Sequence, residues 1–151
     1  MEFTVKTFDE LTTRELYELL KARAEIFGVR ENCAYQDMDD IDFISTHVFS
    51  QNGAGKVTAY LRLFRCASEP GTVQMGRVLT IEHGRGHGAL LLRAGIDAAR
   101  RMGAKKIALD ARVHTIGFYA REGFTVCSEE FYEVGVPHVK MELPLSAKQQ
   151  P

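Results

Sequence analysis

The chain has 151 residues, 45% hydrophobic and 26% charged, an ordinary globular composition with enough length to bury roughly 70% of the unfolded surface in one domain. A formal net charge of −1 supplies no basic field for nucleic acid, and no apolar run nears the roughly 20 residues that span a bilayer. Cys33, Cys66 and Cys127 are scattered without CxxC spacing, which excludes a disulfide framework or zinc ribbon and fits a reducing compartment. With no basic-then-apolar leader at the start, a cytoplasmic protein is expected.

Residues 2–7 alternate, with Phe3 and Val5 on one face, and predict a strand. Thr12 or Thr13 can cap a helix, with Glu15 or Glu10 as the nearby acid. Leu16, Leu19, Leu20, Arg23 and Phe27 follow at helical spacing, and Gly28 is placed to stop the run. Residues 28–46 read as an irregular, solvated loop carrying Asp37, Asp39, Asp40 and Asp42. The acidic run lacks the sixth-place glycine and twelfth-place acid of a calcium loop.

A hairpin is predicted over 46–51 and 56–65, turning at Asn52-Gly53-Ala54-Gly55, and a further strand over 72–79 after the Glu69-Pro70-Gly71 turn. These strands make an antiparallel meander. A helix over 86–102 buries Leu90, Leu91, Ala94, Ala98 and Met102, ends at Gly103, and has Arg100-Arg101 and Lys105-Lys106 about its end, where cations are common. A strand over 106–110, a helix over 114–122 stopped by Gly123, and strands over 124–127 and 138–143 complete the series, Pro144 closing the last. The order implies one α/β (α+β) domain over 1–145 with a mixed sheet and a polar tail over 146–151.

The stretch from Val78 to Leu92 carries the chemistry. A β-branched run enters Gly84, Gly86 and Gly88, which open directly onto a helix. Alternate glycines let the backbone turn sharply and approach a ligand, and the helix start presents unpaired N–H groups to phosphate oxygens. This reads as a pyrophosphate cradle. The GxGxG spacing departs from the dinucleotide fingerprint GxGxxG, although Asp110 stands near the place of the ribose-binding acid. A P-loop is excluded because no Gly-Lys-Ser/Thr follows. His83 and His87 have a helical metal-ligand spacing, but glycines interrupt it and no third ligand has a register, so no metal is expected.

His83-Gly84-Arg85-Gly86-His87-Gly88 resembles the acyl-CoA motif Gln/Arg-x-x-Gly-x-Gly/Ala of the GNAT N-acetyltransferase superfamily. Thirty residues on, Phe118-Tyr119-Ala120-Arg121-Glu122-Gly123-Phe124 is similar to its FYxxxGF segment. Leu16 to Arg23, Tyr35 to Asp39, Tyr60 to Leu63, Gly76 to Val78 and Val136 to Met141 resemble the ElaA-like subgroup, so the likeness spans nearly the whole chain. It implies a mixed, splayed sheet of about six to seven strands flanked by helices, with acyl-CoA in the gap. It also implies acetyl transfer from acetyl-CoA to a primary amine on a small molecule or peptide, by direct attack in a ternary complex. The other reading is a non-catalytic acyl-CoA-binding or sensing module on the same fold.

On this likeness, the amides from Gly84 to Ala89, through Arg85, Gly86, His87 and Gly88, hold the pyrophosphate, with Arg85 as a charge partner. Val78 and Leu79 bond the pantetheine arm through their backbones. Tyr119 is the general acid, since the departing thiolate needs a proton or hydrogen bond and a phenol can give one. His83 stands where the motif has Gln or Arg, and Arg112 where the subgroup carries Gln. The base stays open among Glu82, His114, His138, Asp110 and Glu31, and the acidic loop is placed to attract a cationic amine. Homodimerisation through the late strands is also open.

Overall fold

The computed structural model describes residues 1–32 and 35–145; Cys33 and the tail expected over 146–151 lie outside the described residues. Strand β1 (Thr4–Thr7) leads to helix α1 (Thr13–Arg23). Its start is fixed by a capping box: Thr12 Oγ1 accepts from the Glu15 N–H at 3.1 Å, and the Glu15 carboxylate accepts from the Thr12 N–H at 2.8 Å. Gly28 does not stop the helix. The chain passes through it in a π-helical stretch, Ala24–Arg30. Burial of Leu19, Ala22 and Ile26 along one face outweighs a glycine penalty of roughly 1 kcal/mol.

A 3-10 turn (Ile41–Ile44) precedes the meander β2 (Thr46–Gln51), β3 (Val57–Arg65) and β4 (Thr72–Thr80). Then come α2 (His87–Arg101) and β5 (Lys106–Arg112). The helix expected over 114–122 is a 3-10 turn (Val113–Thr115) followed by a short α3 (Ile116–Ala120). Strands β6 (Thr125–Val126), β7 (Phe131–Glu133) and β8 (Val136–Pro144) finish the described chain. All eight strands join one sheet in the order β1-β2-β3-β4-β5-β8-β6, with β7 also on β8. The sheet exceeds six or seven strands because two short ones share β8: β6 faces Met141 and Glu142, and β7 faces residues 136–138.

Every pairing is antiparallel except β4 with β5, which the α2 crossover makes parallel. That pairing consists of Thr72–Lys106, Val73–Ile107 and Gln74–Ala108; beyond it β4 runs to Thr80 and β5 to Arg112 without partnering each other. The cause lies in β4. Tyr60 of β3 faces Leu79 but Arg62 faces Gly76, so Arg77 and Val78 together stand opposite Leu61. This is a bulge, with Arg77 at φ 53°, and an extra residue of this kind bends its strand.

The sheet is covered on both faces. Leu91, Leu92, Ile96 and Ala99 of α2 pack on Leu61, Leu63, Met75 and Leu109. On the other face Leu19, Ala22 and Ile26 pack on Phe49, Tyr60 and Leu79. Strand alternation sends neighbouring residues such as Tyr60 and Leu61 to opposite cores. Among the described residues no helix is long and apolar enough to cross a membrane.

Candidate active site

Two hollows meet at His83. The larger, about 650 Å³, opens where β4 and β5 part; it is lined by Arg77 and Val78, by Asp110 and Arg112, by Tyr119, and by Glu133 and His138. The smaller, about 370 Å³, lies over the glycine segment and is lined by Thr80, Glu82, Gly84, Gly86, His87, Gly88 and Ala89, with Phe118 beneath. His83 lines both.

The glycines divide their work. Gly84 and Gly86 have φ of 75° and 76°, where an L side chain is strained, yet a Cβ at either would meet nothing within 4 Å. The requirement is conformational, and the space beside the backbone is open to a ligand. Gly86 caps α2, so the first amides of that helix face the hollow. At Gly88 a Cβ would sit 2.8 Å from Phe118 Cε1. This glycine exists for packing, and it joins the two motifs. Phe118 meets Tyr119 edge-on at 4.9 Å, and Tyr119 meets Phe124 at 5.9 Å, so the cradle and the tyrosine share one aromatic stack.

Tyr119 is 9% exposed. Among the described residues its hydroxyl has no hydrogen-bond partner. Burial pushes the phenol up to about 12, against a small opposing pull from Arg112; it is neutral and a proton donor throughout the physiological range. Arg85 points outward to Glu82 at 3.4 Å and lines neither hollow. Leu79 is buried among the α1-side residues. The Ile81 N–H donates to the Thr58 carbonyl at 2.9 Å, and the alternation of an antiparallel ladder then turns the Leu79 backbone toward β3 and that of Thr80 toward the gap.

Of the bases left open by the sequence, Glu31, Asp110, His114 and His138 line the larger hollow and Glu82 the smaller. On one continuous helix His114 and Tyr119 would diverge by about 140°. The break between the 3-10 turn and α3 brings both to the same cavity. Glu31 and Arg112 pair across its mouth, and Asp110 pairs with Lys140 at 3.1 Å. Glu133 was not legible as a site residue, because β7 was not predicted; the signal was the Phe131-Tyr132-Glu133 alternation before Val134-Gly135.

The acidic loop is not a solvated rim. Asp42 binds the fully buried Arg23 at 2.6 Å and Arg62 at 3.0 Å, Asp39 binds Arg62 at 2.7 Å, and Asp37 binds Arg23 at 3.1 Å and Arg77 at 2.8 Å. Burial works to raise the Asp39 carboxyl, but the Arg62 hydrogen bonds and charge prevail and hold it at about 2. Buried His47 bonds the Asp42 carbonyl at 3.0 Å through Nε2 and the Tyr60 hydroxyl at 2.7 Å through Nδ1. The carbonyl can only accept, so Nε2 carries the hydrogen and Nδ1 accepts from Tyr60. Asp37, Asp39 and Asp42 are thus spent on fastening this loop to α1, β3 and the bulged β4, while Asp40 is exposed.

Comparison with known proteins gives these features a context. The profile described as Acetyltransferase (GNAT) domain matches residues 19–145. The chain belongs to the GNAT acetyltransferase family. It is 33% identical over 149 residues to a UPF0039 protein of Schizosaccharomyces pombe, covering 96% of this chain and 98% of that one. It is 31% identical over 137 residues to Protein ElaA of Escherichia coli, covering 87% and 89% respectively. Among solved structures it resembles an acyl-CoA N-acyltransferase from Pseudomonas aeruginosa, with a TM-score of 0.87, 34% identity, and 94% of this chain and 99% of that chain covered. Escherichia coli ElaA superposes with a TM-score of 0.86 at 28% identity, covering 93% and 97%. This GNAT chain is therefore an ElaA-like acyltransferase on an acyl-CoA-using fold.

Proposed function

We propose that the protein is an acetyl-CoA-dependent N-acetyltransferase that moves the acetyl group to a primary amine by direct attack in a ternary complex. The observation that carries this reading is the cavity at the β4–β5 parting: it reaches the glycine cradle through His83 and has the free Tyr119 hydroxyl on its wall. The pyrophosphate is held by amides of the loop and of the first turn of α2, where the open space beside Gly84 and Gly86 fits a group that approaches backbone closely. The pantetheine arm runs along β4 past Val78 and Thr80, bringing the thioester to Tyr119, while Leu79 holds the strand to β3.

The amine nitrogen attacks the acetyl carbon, the carbon–sulfur bond breaks, and the Tyr119 O–H hands its proton to the departing sulfur. A dry site raises the thiol's own affinity for that proton, so transfer from a high-pKa phenol is not opposed as it is in water. Direct transfer is supported by the two described cysteines: Cys66 and Cys127 line neither hollow, and burial pushes both thiols up, away from nucleophilic thiolate. The test is thiol release from acetyl-CoA against a library of small amines and N-terminal peptides, followed by Tyr119→Phe. Turnover with at least one amine, falling about 10²-fold or more in the variant, is expected. CoA release no faster than background hydrolysis with every amine, alongside tight acetyl-CoA binding, returns the chain to a binding module.

A further inference from the structure

The cavity that Tyr119 lines is also lined by the β7–β8 hairpin, which carries Glu133 and His138. We infer that Glu133 is the group that takes the proton from the acceptor nitrogen, with Asp110 and His138 as its positioning residues. This rests on the acetyl-transfer reading and completes it: the nitrogen loses one proton to Glu133, the sulfur gains one from Tyr119, and solvent restores both side chains.

Three observations converge on Glu133. First, the other cavity carboxylates are engaged with cations at bonding distance, Glu31 with Arg112, Asp39 with Arg62 and Asp110 with Lys140. Among the described residues the ion pair of Glu133 within 4 Å is the conditional one with His138, whose Nε2 lies 3.7 Å from Oε2. Second, His138 is locked: its Nδ1 sits 2.8 Å from the Val136 carbonyl, which can only accept, so Nδ1 carries the hydrogen. Nε2 is then the ring nitrogen turned toward the Glu133 carboxyl. Third, the hairpin is held in an unusual backbone. Val134 and Gly135 both have positive φ, 49° and 74°, the pattern of a tight two-residue turn, and a β-branched residue there is a genuine outlier. Strain kept beside a polar cavity group is characteristic of functional placement.

The surrounding charges set the poise. Asp110 and Arg112 face Glu133 from β5, His138 and Lys140 from β8, and Glu31 from across the cavity. Burial first, then the hydrogen bond and charge of Asp110, raise the Glu133 carboxyl above its ordinary value, with His138 and Lys140 pulling the other way. A carboxylate moved up in this way accepts a proton more readily than an ordinary one. Glu133 is also 47% exposed in its side chain, which gives the accepted proton a way to solvent.

The experiment follows thiol release with acetyl-CoA and a panel of a diamine, an amino-acid amide and an N-terminal peptide, across pH, for wild type, Glu133→Gln, Glu133→Asp and Asp110→Asn. Acetyl-CoA-induced thermal stabilisation is measured alongside. The expected result is a fall in kcat of about 10²-fold or more in Glu133→Gln with the acetyl-CoA shift intact, and partial rescue in Glu133→Asp. The ascending limb of kcat/KM moves to lower pH in Asp110→Asn, which a merely structural role for Asp110 does not produce. Turnover within threefold of wild type in Glu133→Gln, or a limb that stays in place in Asp110→Asn, overturns this inference and leaves acetyl transfer standing. Acetyl-CoA stabilisation without turnover of any amine overturns both.

Discussion

Replacing Asp42 by Asn tests whether the loop before β2 is fastened by charge. Asp42 is 6% exposed and accepts from Arg23 at 2.6 Å and Arg62 at 3.0 Å, and those two arginines are 0% and 3% exposed. Asparagine keeps the shape and one acceptor but leaves the arginines a net positive charge in a buried setting. Removing one partner of a buried pair costs about 3–5 kcal/mol, and because Asp37 and Asp39 remain, the lower end, about 3 kcal/mol, is expected. For a chain of this length that lowers Tm by about 6–12 °C at pH 7. The sign with pH follows from the carboxyl. Burial raises it, but Arg23 and then Arg62 bring it below its ordinary value. Its contribution is therefore complete above the unfolded value near 4 and is lost as pH falls through the lower folded value. Thermal melts followed by circular dichroism should show the gap between wild type and variant closing below about pH 4. A loss under about 2 °C at pH 7, or a gap of constant size down to acid, refutes the network as the fastening.

Gly88→Ala should lower turnover without abolishing acetyl-CoA binding, because the new Cβ displaces Phe118 and with it the neighbouring Tyr119; steady-state kinetics beside a ligand-binding titration separates the two. Val134→Asn should stabilise the protein by about 1 kcal/mol, since asparagine tolerates a positive φ that costs valine about 1–2 kcal/mol, and Val134 is 58% exposed with little burial to lose. Chemical denaturation measures this, and an unchanged or lower midpoint counts against strain in the hairpin.

Local signals were legible wherever they were short-range. The Thr12–Glu15 box, the Asn52 to Gly55 hairpin, the glycine cradle and the Phe118-Tyr119 segment are each written within a few residues. What the sequence hid was long-range. Gly28 reads as a stop, but the apolar face around Ile26 carries the helix through it. The aspartates read as solvated because their partners, Arg23, Arg62 and Arg77, lie up to 40 residues away. Glu133 stayed invisible because a three-residue strand has too little periodicity to announce itself, and its meaning comes from β5 and β8.

The short β4–β5 join has a consequence for self-association. Past Gln74 and Ala108 the sheet has two inner margins, where β4 and β5 no longer pair with each other, of the kind that recruits strands from other molecules. Here the margins converge at one end into paired residues, so the opening is a notch and not a free border. A strand laid along either margin runs into the β4–β5 join at Gln74 and Ala108. The backbone that the proposed function gives to a ligand is thereby guarded against edge-to-edge pairing.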